Sequence, residues 1–200
     1  MRRTVAILLF DEVEVLDFAG PFEVFAVTDA LNDKKMFDVQ TVAENPGVIR
    51  ACNGLQVVPN HTFATLPPPN VFVVPGGWGT RPLLQRPSLI EWIRQKSSKS
   101  EITASVCTGS LLLGKAGLLA GLSATTHFRA FPLLRELAPT AEVVEDRRFL
   151  DHGHLITSAG ISAGIDMSLH LVARLHGAET AQRTADQMEY HWRNDNGLVR

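Results

Sequence analysis

Short, continuously apolar runs alternate along this chain with longer stretches in which apolar residues return every three or four positions. The first pattern reads as buried strand, the second as helix packed by one face. Residues 4–10 (Thr-Val-Ala-Ile-Leu-Leu-Phe) are the first such run, and an acidic cluster of Asp11, Glu12, Glu14 and Asp17 ends it. A helix is expected from Pro21 to about residue 32, because proline at a first helical position loses only an N–H that has no helical partner. Further extended segments are expected at 37–43, 54–59, 70–75, 101–106 and 124–126, with helices at 88–96, 109–117 and 130–138. Residues 142–149 and 154–158 read as a hairpin around Asp151-His152-Gly153, and helices at 164–177 and 178–193 close the chain. Strands alternating with helices imply a mainly parallel sheet covered on both faces. The expectation is an α/β three-layer sandwich, built as one domain over residues 1–200.

Composition narrows the class without changing that picture. The chain is 45% hydrophobic and 20% charged, as in an ordinary globular protein. Nineteen basic and twenty-one acidic residues leave a net charge of −2, with no electrostatic footprint for nucleic acid or an anionic membrane. No apolar run approaches the ~20 residues of a membrane span, and no signal peptide is expected behind Met1-Arg2-Arg3. Two cysteines make no disulfide framework. A cytoplasmic protein with reduced thiols is expected.

Ligands of open α/β sheets bind beyond the carboxyl ends of the strands, and three features fall there: Asp17, Gly76-Gly77 and Cys107. Cys107 lies between an apolar strand and the N-terminus of a helix, whose field favours a thiolate. It reads either as a nucleophile on a tight elbow or as a small buried hydrophobe. Cys52, in a turn-rich stretch, has no helix behind it. Gly76-Gly77 either offers backbone N–H groups to a ligand, forming an oxyanion hole with Thr108, or is a simple strand exit. Asp17, an acid among apolar neighbours, reads as a buried proton carrier or as a helix cap. His127 could orient near Cys107 or be a hydrogen-bonded structural histidine. The seven histidines show no H-x-x-x-H spacing and the cysteines no C-x-x-C, so no metal site is expected.

The pieces Leu16-Asp-Phe-Ala-Gly-Pro21, Val74-Pro-Gly-Gly77, Ala104-Ser-Val-Cys-Thr-Gly109, Ala116-Gly-Leu-Leu119, Ala124-Thr-Thr-His127, Thr157-Ser-Ala-Gly160 and Ala163-Gly-Ile-Asp166 together resemble the ThiJ/PfpI superfamily, the cysteine branch of the class I glutamine amidotransferase-like fold. Their order covers about residues 1–190. The Asp-x-x-Gly-Pro start and the Cys-Thr-Gly elbow look most like the isocyanide hydratases, and like the sensor domains of AraC-type regulators. The helix-turn-helix region of those regulators is not expected in a chain ending at Arg200. The resemblance implies a flavodoxin-like fold, a homodimer, Cys107 as reactive thiol and Asp17 as its carboxylic partner. It places the backbone of Gly77 and Thr108 at an anion-stabilising position, with the Thr108 side chain beside the nucleophile. One position departs from the protease-like members, which carry histidine directly after the cysteine. Here it is Thr108, so a Cys-His peptidase dyad is not expected.

The leading expectation is hydration of a small-molecule isocyanide to an N-formamide. Cys107 adds to the terminal carbon to give a thioimidate while Asp17 delivers the proton, and Asp17 then activates water. No cofactor is called for. Phe18, Trp78 and Ile161 are the expected apolar walls of the pocket, with His127 near them. The alternatives are a glyoxalase III-like hydratase of dicarbonyls, which requires polar contacts in the pocket, and a non-enzymatic metabolite or redox sensor using the same cysteine.

Overall fold

The apolar runs form the middle of a mainly parallel sheet. In chain order the strands are β1 (Arg3–Leu8), β2 (Phe37–Ala43), β3 (Ile49–Arg50), β4 (Gln56–Val57), β5 (His61–Thr62) and β6 (Val71–Val74). They continue with β7 (Ile102–Ser105), β8 (Ser123–Ala124), β9 (Glu142–Val143), β10 (Phe149–Asp151) and β11 (Leu155–Ser158). This computed structural model describes residues 2–32 and 35–192. Seven strands share the main sheet in the order β10-β11-β7-β6-β1-β2-β5. Every pair is parallel except β10 with β11. All four residues of β6 and of β7 are buried, as the absence of alternation in their sequences requires.

The helices are α1 (Val15–Ala30), α2 (Thr80–Leu83), α3 (Pro87–Lys99), α4 (Gly109–Lys115), α5 (Phe131–Leu137), α6 (Ala163–His176) and α7 (Ala178–Gln187). They pack in two groups, α1 with α6 and α7, and α4 with α2, α3 and α5. These groups are the outer layers of the sandwich. No helix among the described residues is long and apolar enough to cross a membrane.

Three expectations are corrected. α1 begins at Val15, not Pro21, so the proline stands inside the helix. Glu14 is the extended residue before it, and its N–H is held by the Gly76 carbonyl at 2.9 Å, which turns the chain into the helix six residues early. Burial of Phe18, Val24 and Phe25 against the core outweighs the N–H that Pro21 cannot donate to the Asp17 carbonyl. Residues 142–149 do not form one hairpin arm: β9 pairs in parallel with β8 outside the main sheet, and only β10 returns against β11. α7 stops at Gln187, whereas helix was expected to 193, a residue outside those described.

The order of the central strands brings the site together. β11, β7, β6 and β1 are neighbours, so the segments leaving their carboxyl ends converge although they are spread across the chain. Val13 bridges Gly77 in antiparallel pairing, the Val106 N–H bonds the Val74 carbonyl at 3.0 Å, and the Cys107 N–H reaches the Ser158 and Ala159 carbonyls at 3.2 and 3.1 Å.

Candidate active site

Cys107 is the second residue after β7 and lies two residues before α4, with φ of +55°. A left-handed conformation is unfavourable for a residue with a Cβ and persists where surrounding bonds impose it. Those bonds are present: besides its N–H, the Cys107 carbonyl accepts from Thr126 Oγ1 at 2.9 Å and from Ser110 Oγ at 3.1 Å. The cysteine is 5% exposed. It is a buried residue on a strained elbow.

Asp17 projects from the first turn of α1 and is fully buried. Its Oδ2 accepts the Gly76 N–H at 2.9 Å, while Oδ1 has no hydrogen-bond partner of ordinary geometry among the described residues. The carboxyl also interacts with the Cys107 thiol and the Ile161 N–H. It is therefore no helix cap. Burial pushes its pKa up to about 7, against the opposing pull of the Gly76 N–H and the thiol.

The thiol behaves differently from the sequence-based expectation. Burial, and then the neighbouring Asp17 charge, push Cys107 up to about 12, although the Thr108 and Ile161 N–H groups pull it down. A helix of seven residues cannot offset both. Read as a coupled pair, the first proton leaves near 7 and the second near 12. Between those values the two groups hold one proton and one negative charge in common.

Gly76 makes this proximity possible. A Cβ there would stand 2.5 Å from the Thr108 nitrogen, 2.6 Å from Thr108 Oγ1 and 2.8 Å from Asp17 Oδ2. Only a residue without a side chain lets the three segments meet.

The expected oxyanion donor Gly77 is corrected by the hydrogen bonding. Its N–H is taken by Thr108 Oγ1 at 2.9 Å, and its carbonyl accepts from the Thr108 hydroxyl at 3.2 Å. The Thr80 hydroxyl also reaches Thr108 Oγ1, at 3.3 Å. Thr108 thus braces the β6 exit loop with its side chain and faces the sulfur with its N–H. The second N–H facing the sulfur belongs to Ile161, at φ +53°. Nothing in an apolar residue's identity signals that its main-chain N–H faces the sulfur.

A cavity of about 200 Å³ opens over the sulfur, lined by Cys107, Thr108, Gly77, Trp78, His127 and Ile161 together with Glu14, Arg81 and Arg129. Trp78, His127 and Ile161 stand where expected. Phe18 does not: it is buried and lines a separate cavity with Phe22 and Val57. On α1 it lies one residue beyond Asp17, about 100° round the helix, and is turned toward Phe22 and Val57 rather than toward the sulfur. Burial and the charges of Arg129 and Arg81 hold His127 below its ordinary value, leaving it neutral. Cys52 is buried, donates to the Glu12 carbonyl at 3.2 Å and does not line this cavity. Among the described residues no three His, Cys, Asp or Glu side chains gather as a metal site.

The pattern of the DJ-1/PfpI family matches residues 3–174. The chain belongs to the DJ-1/PfpI family. This family member is 40% identical over 190 residues to the isonitrile hydratase of Pseudomonas putida, covering 95% of the chain and 79% of that protein. It is 29% identical to the HTH-type transcriptional regulator CdhR of Pseudomonas aeruginosa over 90% of the chain, and spans 53% of that regulator's length. Among solved structures, a ThiJ/PfpI family protein from Pseudomonas syringae superimposes with a TM-score of 0.86 at 28% identity, covering 98% of this chain and 78% of that one. The DJ-1/PfpI fold thus accounts for the sheet order and for the convergence of its strand ends.

The Asp17 burial has a consequence for stability in this family member. An acid whose folded pKa is raised stabilises fully below its unfolded value, near 4, and that contribution is lost as pH rises to about 7. The loss is on the order of 4 kcal/mol. Asp17→Asn, which keeps the neutral shape at every pH, is expected to melt roughly 8–16 °C above the wild type at pH 8. The difference narrows toward pH 4. Thermal melts across that range check this, and a difference independent of pH would show that the carboxyl is not buried as described.

Proposed function

We propose that this protein is a cofactor-independent hydratase that converts an isocyanide to an N-formamide, with Cys107 as nucleophile and Asp17 as proton carrier. The observation that carries the reading is the fully buried Asp17 carboxyl held against the buried Cys107 thiol. The 40% identity to an isonitrile hydratase supports the substrate class.

The chemistry uses the pair's proton and returns it. The sulfur bonds to the terminal carbon of R–N≡C as the same carbon receives the proton of the pair, giving R–N=CH–S–Cys107 and an Asp17 carboxylate. Water adds to this carbon; Asp17 takes its proton and passes it to nitrogen, giving R–NH–CH(OH)–S–Cys107. The C–S bond then breaks, the hydroxyl proton goes to Asp17 and the electron pair returns to sulfur. The product is R–NH–CHO. Thr108 and Ile161 stabilise charge on the sulfur through their N–H groups, and the unpartnered Oδ1 of Asp17 is an acceptor for the attacking water.

The test is N-formamide formation from phenyl isocyanide by the reduced protein. Turnover is expected, with kcat/KM rising as pH increases through about 7, where the pair reaches its singly protonated form. Asp17→Asn, which can neither accept nor return the proton, loses at least about 100-fold. Wild-type protein without turnover would sink the reading, and dicarbonyls would then be the next substrates, since the charged side chains of the cavity suit their hydroxyacid products.

A further inference from the structure

The cavity over Cys107 is not lined by apolar groups alone. Two guanidinium groups share its lining, from segments 48 residues apart in the chain, 129 minus 81. Arg81 is fixed in place: its Nη1 donates to the Gly77 carbonyl and to Thr80 Oγ1, both at 3.1 Å, and its guanidinium lies 5.0 Å from the centre of the Trp78 ring. Arg129 is exposed, lies 5.4 Å from the Phe128 ring centre, and is held by its N–H to His127 Nδ1 at 3.3 Å.

Neither guanidinium pairs with a carboxylate among the described residues, whereas Arg148 and Arg174 elsewhere on the molecule close on Asp166 and Asp151. The one carboxylate in the lining is Glu14, which leaves the rim with one net positive charge. The negative charge of the pair lies deeper, on groups that are 0% and 5% exposed. Charge in the cavity is thus separated, negative at the reacting end and positive at the mouth. An arginine with unpaired donors matches a carboxylate in shape as well as charge.

We propose that the substrate carries a carboxylate, seated between Arg81 and Arg129 at the mouth while its reacting carbon reaches the Cys107 sulfur. His127, uncharged beside both arginines, adds a neutral hydrogen-bonding group to the same seat. This inference rests on the hydratase reading for the reacting end, but the anion seat itself is testable without it.

Iodoacetate and iodoacetamide alkylate a thiol by the same step: the sulfur forms a C–S bond, the C–I bond breaks and iodide leaves. They are nearly the same size but differ in charge, and the reference thiol corrects for their different intrinsic reactivity. The ratio of their rates at the Cys107 peptide, resolved by mass from Cys52, is compared with the ratio for free glutathione at low salt. A ratio at least tenfold above glutathione's is expected, about 1.4 kcal/mol. It should fall about fivefold in Arg129→Gln, and fall in wild type as salt is raised. A wild-type ratio equal to glutathione's, or one indifferent to Arg129→Gln, overturns the proposal.

Turnover separates the two readings. 4-Isocyanobenzoate is expected to exceed phenyl isocyanide at least tenfold in kcat/KM, and Arg129→Gln to erase most of that preference. Equal kcat/KM for both overturns the anion seat and leaves the hydratase standing. Turnover of neither sinks the hydratase, while the alkylation ratio still decides the seat.

Discussion

Cys107→Ala is expected to abolish N-formamide formation, a loss of at least about 10⁴-fold, while retaining the fold. The expected change is this large because in the proposed reaction the sulfur forms the bond that activates the substrate, and no other thiol lines the cavity. The fold survives because the elbow is held by main-chain groups. The Cys107 N–H keeps the Ser158 and Ala159 carbonyls, and its carbonyl keeps Ser110 and Thr126, whatever the side chain. Alanine tolerates φ of +55° no worse than cysteine does. The measurement is turnover of phenyl isocyanide beside a thermal melt and a circular dichroism spectrum. A folded variant with a tenth or more of wild-type activity would remove Cys107 from the chemistry.

Gly109→Ala is expected to damage both stability and activity. Gly109 opens α4, and a Cβ there would stand 2.0 Å from the Val74 carbonyl oxygen, 2.8 Å from the Val74 carbonyl carbon and 2.9 Å from the Pro75 oxygen. All three atoms are main chain, so no rotamer change relieves the clash. The same Val74 oxygen accepts the Val106 N–H at 3.0 Å, and pushing it away unpicks the junction of β6 and β7. The expected cost is about 3 kcal/mol or more, a fall in Tm of roughly 6–12 °C. Turnover is expected to fall on the order of 100-fold because the Thr108 N–H and Cys107 sit one and two residues upstream, and misplacement by about 1 Å has that effect. Melts and kcat/KM on the same preparation check it. A Tm within 2 °C of wild type would show that α4 does not need this close approach.

The proposed reacting pair and the proposed anion seat would divide the site into two tasks. Asp17 and Cys107 are sealed where their shared proton is retained, which suits addition and return of one proton. Arg81 and Arg129 stand where solvent reaches them, which suits recognition. A carboxylate drawn to the mouth would bring its reacting end toward a buried negative pair without neutralising it, since the two charges lie at opposite ends of the cavity.

Periodicity alone carried the elements that are buried on both faces or amphipathic: β2 was legible at its observed bounds, and β1, β6, β7, α3, α4 and α6 close to theirs. The residues flanking the elbow were legible too, because a cysteine between an apolar strand and a helix start is a local pattern. α1 was not, since its first turn is stabilised by the Gly76 carbonyl holding Glu14, a bond between segments 62 positions apart, 76 minus 14. The same limit applied to the site. That Phe18 faces another cavity, that the Gly77 N–H is taken by Thr108, and that Arg81 and Arg129 line the same cavity as Cys107 all depend on which strands become neighbours. The direction of the Cys107 shift likewise depends on burial and on Asp17, which arrives from 90 residues upstream, 107 minus 17. The sequence by itself determined the layers and nominated Cys107 and Asp17, because apolar spacing and an elbow motif act over a few residues. The tertiary structure decided how the pair shares its proton and what stands at the mouth, because solvation and charge act through space between segments that the chain order keeps far apart.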